Sequence, residues 1–185
     1  MKRAVCVFLI VVPVAVAACS KKSSEPPAKQ TALATVETLA EYPIRNMDGV
    51  LTQSGVDYDS TTSSDGNGAL RIIATAPTTV RLFETGDLDV ENARLIYSAH
   101  LRTADVEGKV YLEMWCSFPG KGEFFSRALQ SPLSGTVNWT SQETPFFLKA
   151  GENPDNVKLN LVIDGKGTAW IDNVKLAKGP LGIKV

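Results

Sequence analysis

A single histidine, His100, and only three cysteines in 185 residues set the first limits. One imidazole excludes a His-rich metal site, and any Ser–His–Asp relay would have to use that ring. Cys6 and Cys19 fall in the first twenty residues, so the rest of the chain holds Cys116 alone and no intrachain disulfide. The sequence has no phosphate loop, no Gly-x-Ser-x-Gly elbow and no His-Glu-x-x-His helix. Charge of one sign is scarce too: 19 Lys and Arg stand against 20 Asp and Glu, with no basic stripe. Nucleic-acid binding therefore has no electrostatic footprint. Glycoside hydrolysis by two carboxylates fares little better, because alternation places no second acid beside Glu113. The chain is not expected to be an enzyme.

What is present begins with Lys2 and Arg3, followed by an apolar run from Ala4 to Ala18 that only Pro13 interrupts. The run is shorter than the roughly 20 residues a spanning helix needs. A basic start, an apolar middle and small residues at the end read as a secretory signal over residues 1–18. Val16-Ala17-Ala18-Cys19 resembles a bacterial lipobox, with Val where Leu is more usual. That resemblance implies cleavage before Cys19 and a lipid on its thiol. Ser20 in place of Asp implies transfer to the outer membrane.

Residues 19–36 then supply a polar tether containing Pro26 and Pro27, with little to bury. Fully stretched it reaches roughly 55–60 Å. Cleavage would remove Lys2 and Arg3, leaving 17 basic against 20 acidic residues and a net charge of −3. The remaining segment, residues 37–185, is the size of one domain with a real core.

That segment reads as all-β. Ala32–Leu39 suggests a marginal helical turn, ended by Pro43. β-prone runs follow at Val56–Asp59, Leu70–Ala74, Thr79–Glu84, Arg94–Arg102, Lys109–Phe118, Glu123–Leu129, Asn138–Lys149, Val157–Asp164 and Thr168–Ala177. Turn chemistry separates them, including Glu107-Gly108, Pro119-Gly-Lys-Gly122 and Asp164-Gly-Lys-Gly167. Short strands at such spacing suggest a sandwich or barrel.

Alternation sorts the faces. Val110, Leu112, Met114 and Cys116 oppose Tyr111, Glu113, Trp115 and Ser117; Leu95, Tyr97, Ala99 and Leu101 oppose Ile96, Ser98, His100 and Arg102. Leu159, Leu161 and Ile163 oppose Lys158, Asn160, Val162 and Asp164. The apolar sets belong inside, and Cys116 among them reads as a buried, inert thiol. Phe124-Phe125-Ser126-Arg127 is ambiguous: a regular strand puts Phe125 beside Arg127, whereas a bulge lets both rings straddle it.

Gly165-Lys-Gly-Thr-Ala-Trp-Ile-Asp-Asn-Val-Lys-Leu176 carries a family resemblance. It is similar to the closing strand of galactose-binding-like jelly rolls, in particular carbohydrate-binding modules of families 4, 9 and 22. Asn138-Trp-Thr140, Glu143-Thr144, Leu159–Ile163 and, more loosely, Asp65–Ile72 extend the likeness over most of residues 45–178. The resemblance implies a jelly-roll β-sandwich that binds a glycan or envelope polysaccharide on a concave sheet. It also implies a structural Ca²⁺ held by Asp172 of the closing strand with oxygens from N-terminal loops, for which Asp48 and Asp65 are the candidates. Asn173 stands where such strands often carry a second acid.

The wet face suits a sugar on chemical grounds as well. A pyranose offers apolar C–H faces and a rim of hydroxyls, so its site needs a ring to stack on and fixed polar partners. Trp115 and Tyr111 are the candidate rings; Arg102, Glu113, Asn160, His100 and Arg127 are the candidate edge contacts. Aromatics and Arg also make protein hot spots, so docking of another envelope protein through the same face is the alternative.

Overall fold

The computed structural model describes residues 35–182, which belong to one compact unit. Among them there is no helix. Eight strands follow in order: β1 (Glu37–Tyr42), β2 (Val56–Asp59), β3 (Ala69–Ala74), β4 (Thr78–Gly86), β5 (Ala93–Phe118), β6 (Gly122–Arg127), β7 (Leu133–Leu148) and β8 (Asn156–Gly179). Every pairing is antiparallel. The jelly-roll sandwich expected from the sequence is the fold observed. The signal, Cys19 and almost all of the tether lie outside the described residues.

Two strands organise the rest. β5 and β8 pair along nearly their whole length, from Arg94 opposite Gly179 to Ser117 opposite Asn156. The turns expected at Glu107-Gly108 and Asp164–Gly167 are not strand ends. They form a corner where the β5–β8 ribbon folds over and continues in a second layer. The register shifts between Ala104 and Glu107, and Asp105 has φ +52°. Gly108 sits directly opposite Gly165. A Cβ on Gly165 would lie 1.9 Å from the Glu107 carbonyl oxygen, and one on Gly108 would lie 2.1 Å from that of Asp164. Only glycine lets the two backbones pass this closely.

Beyond the corner the ribbon gathers different neighbours. The first layer joins residues 93–104 of β5 and 167–179 of β8 to β1, β2, β3 and most of β7. The second joins residues 107–118 of β5 and 156–164 of β8 to β4 and β6. Their inner faces meet in one core. Leu95, Tyr97, Ala99, Leu101, Val110, Leu112, Met114, Cys116, Leu159, Leu161 and Ile163 all belong to it and are at most 1% exposed. The alternation read from the sequence thus holds in both layers. Burial pushes the Cys116 thiol up to about 12, which removes the thiolate that reactivity would require.

β1 is a correction. The helical turn expected up to Leu39 gives way to a strand, because residues 174–178 of β8 offer an open edge that Glu37–Tyr42 fills. Pro43 still marks the end. A second local feature is a bulge at Asn173, which has φ +52°. It shifts the alternation of β8, so Ile171 and then Val174 and Leu176 point inward.

Candidate functional site

The outer face of the second layer is built from four neighbouring strands. Register places Glu113 of β5 between Asn160 of β8 and Arg127 of β6, and Trp115 between Lys158 and Phe125. Arg81 of β4 stands opposite Asn160 on the far side. Thr79, Arg81, Glu113, Trp115, Glu123, Arg127, Lys158 and Asn160 line a shallow hollow of about 480 Å³. β6 is a regular strand, which resolves the Phe-Phe ambiguity: Phe125 and Arg127 share the outer face, and Phe124 turns the other way.

Trp115 forms one side of the hollow, and Phe125 packs against it. Trp115 and Phe125 pack with centroids 4.9 Å apart and planes at 45°, and the Arg127 guanidinium lies 4.4 Å from the Phe125 ring centre. Phe125 is half exposed and Trp115 half buried. Together they make a ring platform stiffened by a cation–π contact. The sequence pointed to Trp115; the role of Phe125 was hidden until the register of β6 was known.

Polar groups form the other side. Arg127 Nε donates to Glu113 Oε2 at 2.6 Å, and Asn160 Nδ2 donates to Glu113 Oε1 at 3.0 Å. Burial by itself raises the Glu113 carboxyl. Hydrogen bonds from Asn160, Trp115 and Arg127, with the Arg127 charge, outweigh it and hold the group below the ordinary carboxylate range. Asn160 is 4% exposed, and its Oδ1 is buried with no hydrogen-bond partner. Leaving such an acceptor unsatisfied costs about 1–3 kcal/mol. Around them Lys158 pairs with Glu123, and Arg81 with Glu84 at 3.4 Å. Thr79, Arg81 and Glu123 lie on the flanking strands β4 and β6, and Lys158 lies on β8 beside Trp115; none was among the expected ligand residues.

Five of the seven expected ligand residues are therefore neighbours: Tyr111, Glu113, Trp115, Arg127 and Asn160. Tyr111 is only 7% exposed and offers little ring to a ligand. His100 and Arg102 correct the expectation of one shared face. They precede the corner, so their outward side belongs to the other layer. Arg102 lies over Trp170 at 5.4 Å, and the Trp170 indole donates to Asp59 at 2.9 Å. Hydrogen bonds from Thr61 and then from Trp170 hold the Asp59 carboxyl well below its usual range.

His100 Nδ1 is 3.0 Å from Ser64 Oγ. Ser64 in turn donates to Asp172 Oδ2 through its N–H at 2.9 Å and its hydroxyl at 2.8 Å, while the Asn173 N–H donates to Oδ1 at 2.7 Å. Serine stands in the middle of this chain, which is not the order of a nucleophilic relay. The bonds do explain how an acid is tolerated at 1% exposure in the closing strand.

The expected calcium ligands do not form a donor set. Asp48 is engaged by Asn46, and Asp65 accepts from Asn67 and Ser63 within its own loop. Among the described residues, no three acid, His or Cys side chains are grouped to hold a metal. The hydrogen bonds on Asp172 tie the Ser64 loop to β8.

No family model matches the chain, and no curated protein matches it. Solved structures do. One is the CBM22-1–GH10 pair of Clostridium thermocellum endo-1,4-β-D-xylanase 10B in complex with xylohexaose: 12% identity, TM-score 0.58, covering 77% of this chain and 29% of that one. Another is a CBM22-1 xylan-binding domain from Paenibacillus barcinonensis: 11% identity, TM-score 0.55, covering 80% and 95%. A third is a family 16 carbohydrate-binding module: 14% identity, TM-score 0.52, covering 70% and 91%. At such identities the likeness is one of fold: the chain carries the β-sandwich of carbohydrate-binding modules.

Proposed function

We propose that this protein is a non-catalytic glycan-binding module, held at the bacterial outer membrane by a lipid on Cys19, and that its ligand lies on the outer face of the second layer. The observation that carries the reading is an aromatic ring set beside fixed polar side chains: Trp115, packed against Phe125, shares one hollow with Glu113, Arg127 and Asn160. A sugar ring suits both sides, stacking its C–H face on the indole and turning its hydroxyls toward the polar side chains. The shared fold with xylan-binding domains supports the same class of ligand. The lipid anchor rests on the lipobox resemblance.

A glycan array probed with protein starting at Ser20, next to Trp115→Ala, tests the reading. Binding to one polysaccharide class, confirmed by calorimetry and lost in the variant, is the expected result. Silence from two folded proteins would refute it.

Docking of another envelope protein remains the second reading, favoured by a different place. At the open edge between β6 and β7, Phe124 and Phe147 are 50% and 53% exposed. With Phe118, Phe125, Phe146, Lys121, Lys149 and Glu152 they line a hollow of about 380 Å³. Crosslinking in the native envelope that depends on Phe147 rather than Trp115 would favour it.

A further inference from the structure

The glycan reading gives no role to the rings at the open edge. Phe124 and Phe147 are half exposed, and the Phe118 ring packs 5.9 Å from that of Phe124 and 6.1 Å from that of Phe146. The two layers thus meet here in an apolar rim that water covers. Rims of this kind mark contact with a protein or with a membrane. The place where the chain enters the fold decides between them.

β1 begins at the same end of the sandwich. Glu37 stands opposite Lys178, Lys178 opposite Leu95, and Leu95 opposite Phe146. Three strand spacings, about 14 Å, therefore separate the start of β1 from Phe146. Val36 and Leu181, both exposed, add apolar surface to that end. A Cβ on Gly179 would lie 3.5 Å from Val36 Cγ2 and 3.7 Å from Arg94 Nη2, and Arg94 stands opposite Phe147. A lipid on Cys19 is joined to this end by residues 20–36 alone. Such a link turns a contact too weak to form from free solution into an intramolecular one at high effective concentration.

Charge favours the ring side of that end. Lys121 and Lys149 line the rim's hollow against one acid, Glu152. Both lysines are exposed, and neither forms an ion pair among the described residues. Asp89 and Glu91 lie instead on the β1 flank, beside Thr35. An anionic surface therefore draws the rings toward it and turns the acidic flank away.

Resting on the lipid anchor at Cys19 and not on the glycan, we infer that the rim of Phe124 and Phe147 is a membrane-contact surface. Its rings enter the headgroup region of a phospholipid bilayer, and Lys121 and Lys149 meet anionic headgroups. Phe125 belongs both to this hollow and to the ring pair with Trp115, so the contact sets the candidate glycan face beside the bilayer.

The test uses the full chain, expressed in a bacterial host, purified from the membrane fraction and reconstituted in phosphatidylethanolamine–phosphatidylglycerol vesicles. Cys116 is buried, so a fluorophore reacts selectively with an introduced cysteine. Phe147→Cys reports on the rim. Ile73→Cys is the control: equally exposed, it stands opposite Thr168 near the corner. Lipid brominated in its acyl chains is expected to quench the label at 147 and to leave that at 73 unchanged. Lys121→Gln with Lys149→Gln lowers the contact constant read from that quenching roughly tenfold or more.

Equal quenching at the two positions, or none at 147 in protein whose mass shows the lipid on Cys19, overturns the membrane contact. A label at 147 shielded from iodide in native membranes but open to it in pure lipid vesicles also overturns it, because a protein partner then covers the rim. An N-terminal mass without lipid overturns the anchor and this inference with it, and leaves the glycan reading to its own test.

Discussion

Gly165 and Gly108 allow a quantitative test of how the candidate face is put in place. The corner of the β5–β8 ribbon separates His100 and Arg102 from Tyr111, Glu113 and Trp115, and it exists only if the two backbones can pass side by side. Gly165→Ala adds a Cβ 1.9 Å from the Glu107 carbonyl oxygen, a backbone atom that no side-chain rotation can move aside. The residue also has φ +148°, where an L side chain is strained by about 1–3 kcal/mol before any clash is counted. Opening the corner to relieve the contact disturbs the Glu107–Lys166 and Lys109–Asp164 pairs. A loss of at least roughly 3 kcal/mol is expected. Gly120→Ala is the control: φ is +70° and nothing lies within 4 Å of the new Cβ, so only backbone strain of about 1–2 kcal/mol applies. In urea, with a slope of about 1.5 kcal/mol/M, these losses lower the midpoint by about 2 M and about 1 M respectively. Equal midpoints for the two variants would refute the reasoning, because the close approach at the corner would then carry no energetic weight.

Glu113 should give a pH-dependent contribution to stability. Its folded pKa lies below the ordinary glutamate value of 4.5, so the stabilisation is present above that value and is lost as pH falls through the folded one. Glu113→Gln is therefore expected to lower Tm at pH 7 by more than at pH 3; an undiminished gap at pH 3 would contradict the assignment. Asp172 should act without metal, with Tm moving by less than about 1 °C on addition of EDTA or Ca²⁺. Asp172→Ala, which frees the Ser64 and Asn173 donors, should cost about 1–3 kcal/mol in a denaturant titration. A large calcium-dependent rise in Tm would restore the metal. For the anchor, Cys19→Ser is expected to shift the protein from the membrane to the soluble periplasmic fraction, and retention in the membrane would refute lipidation.

Local chemistry alone determined much of this protein. Side chains alternate along a strand with period two, so Val110, Leu112, Met114 and Cys116 had to share one face and Tyr111, Glu113, Trp115 and Ser117 the other, whatever the strand's neighbours. The same rule sorted residues 158–164 of β8, and Pro43 marked where the first segment ends, although a helical turn and not β1 was expected before it. Tertiary structure decided everything that depends on which strands lie side by side. Glu107-Gly108 and Asp164–Gly167 read locally as turns; paired with each other, they became a corner within continuous strands, and His100 and Arg102 went to the opposite layer. Phe125 met Trp115 only through the register of β6. Asp172, an acid in an apolar strand, found its partners only when the Ser64 loop closed over it. Asn160 donates to Glu113, distant in sequence and itself paired with Arg127, only because register sets the three side by side. Register and loop closure are long-range choices that many sequences with this alternation could satisfy differently, whereas the period of a strand is a property of the backbone alone.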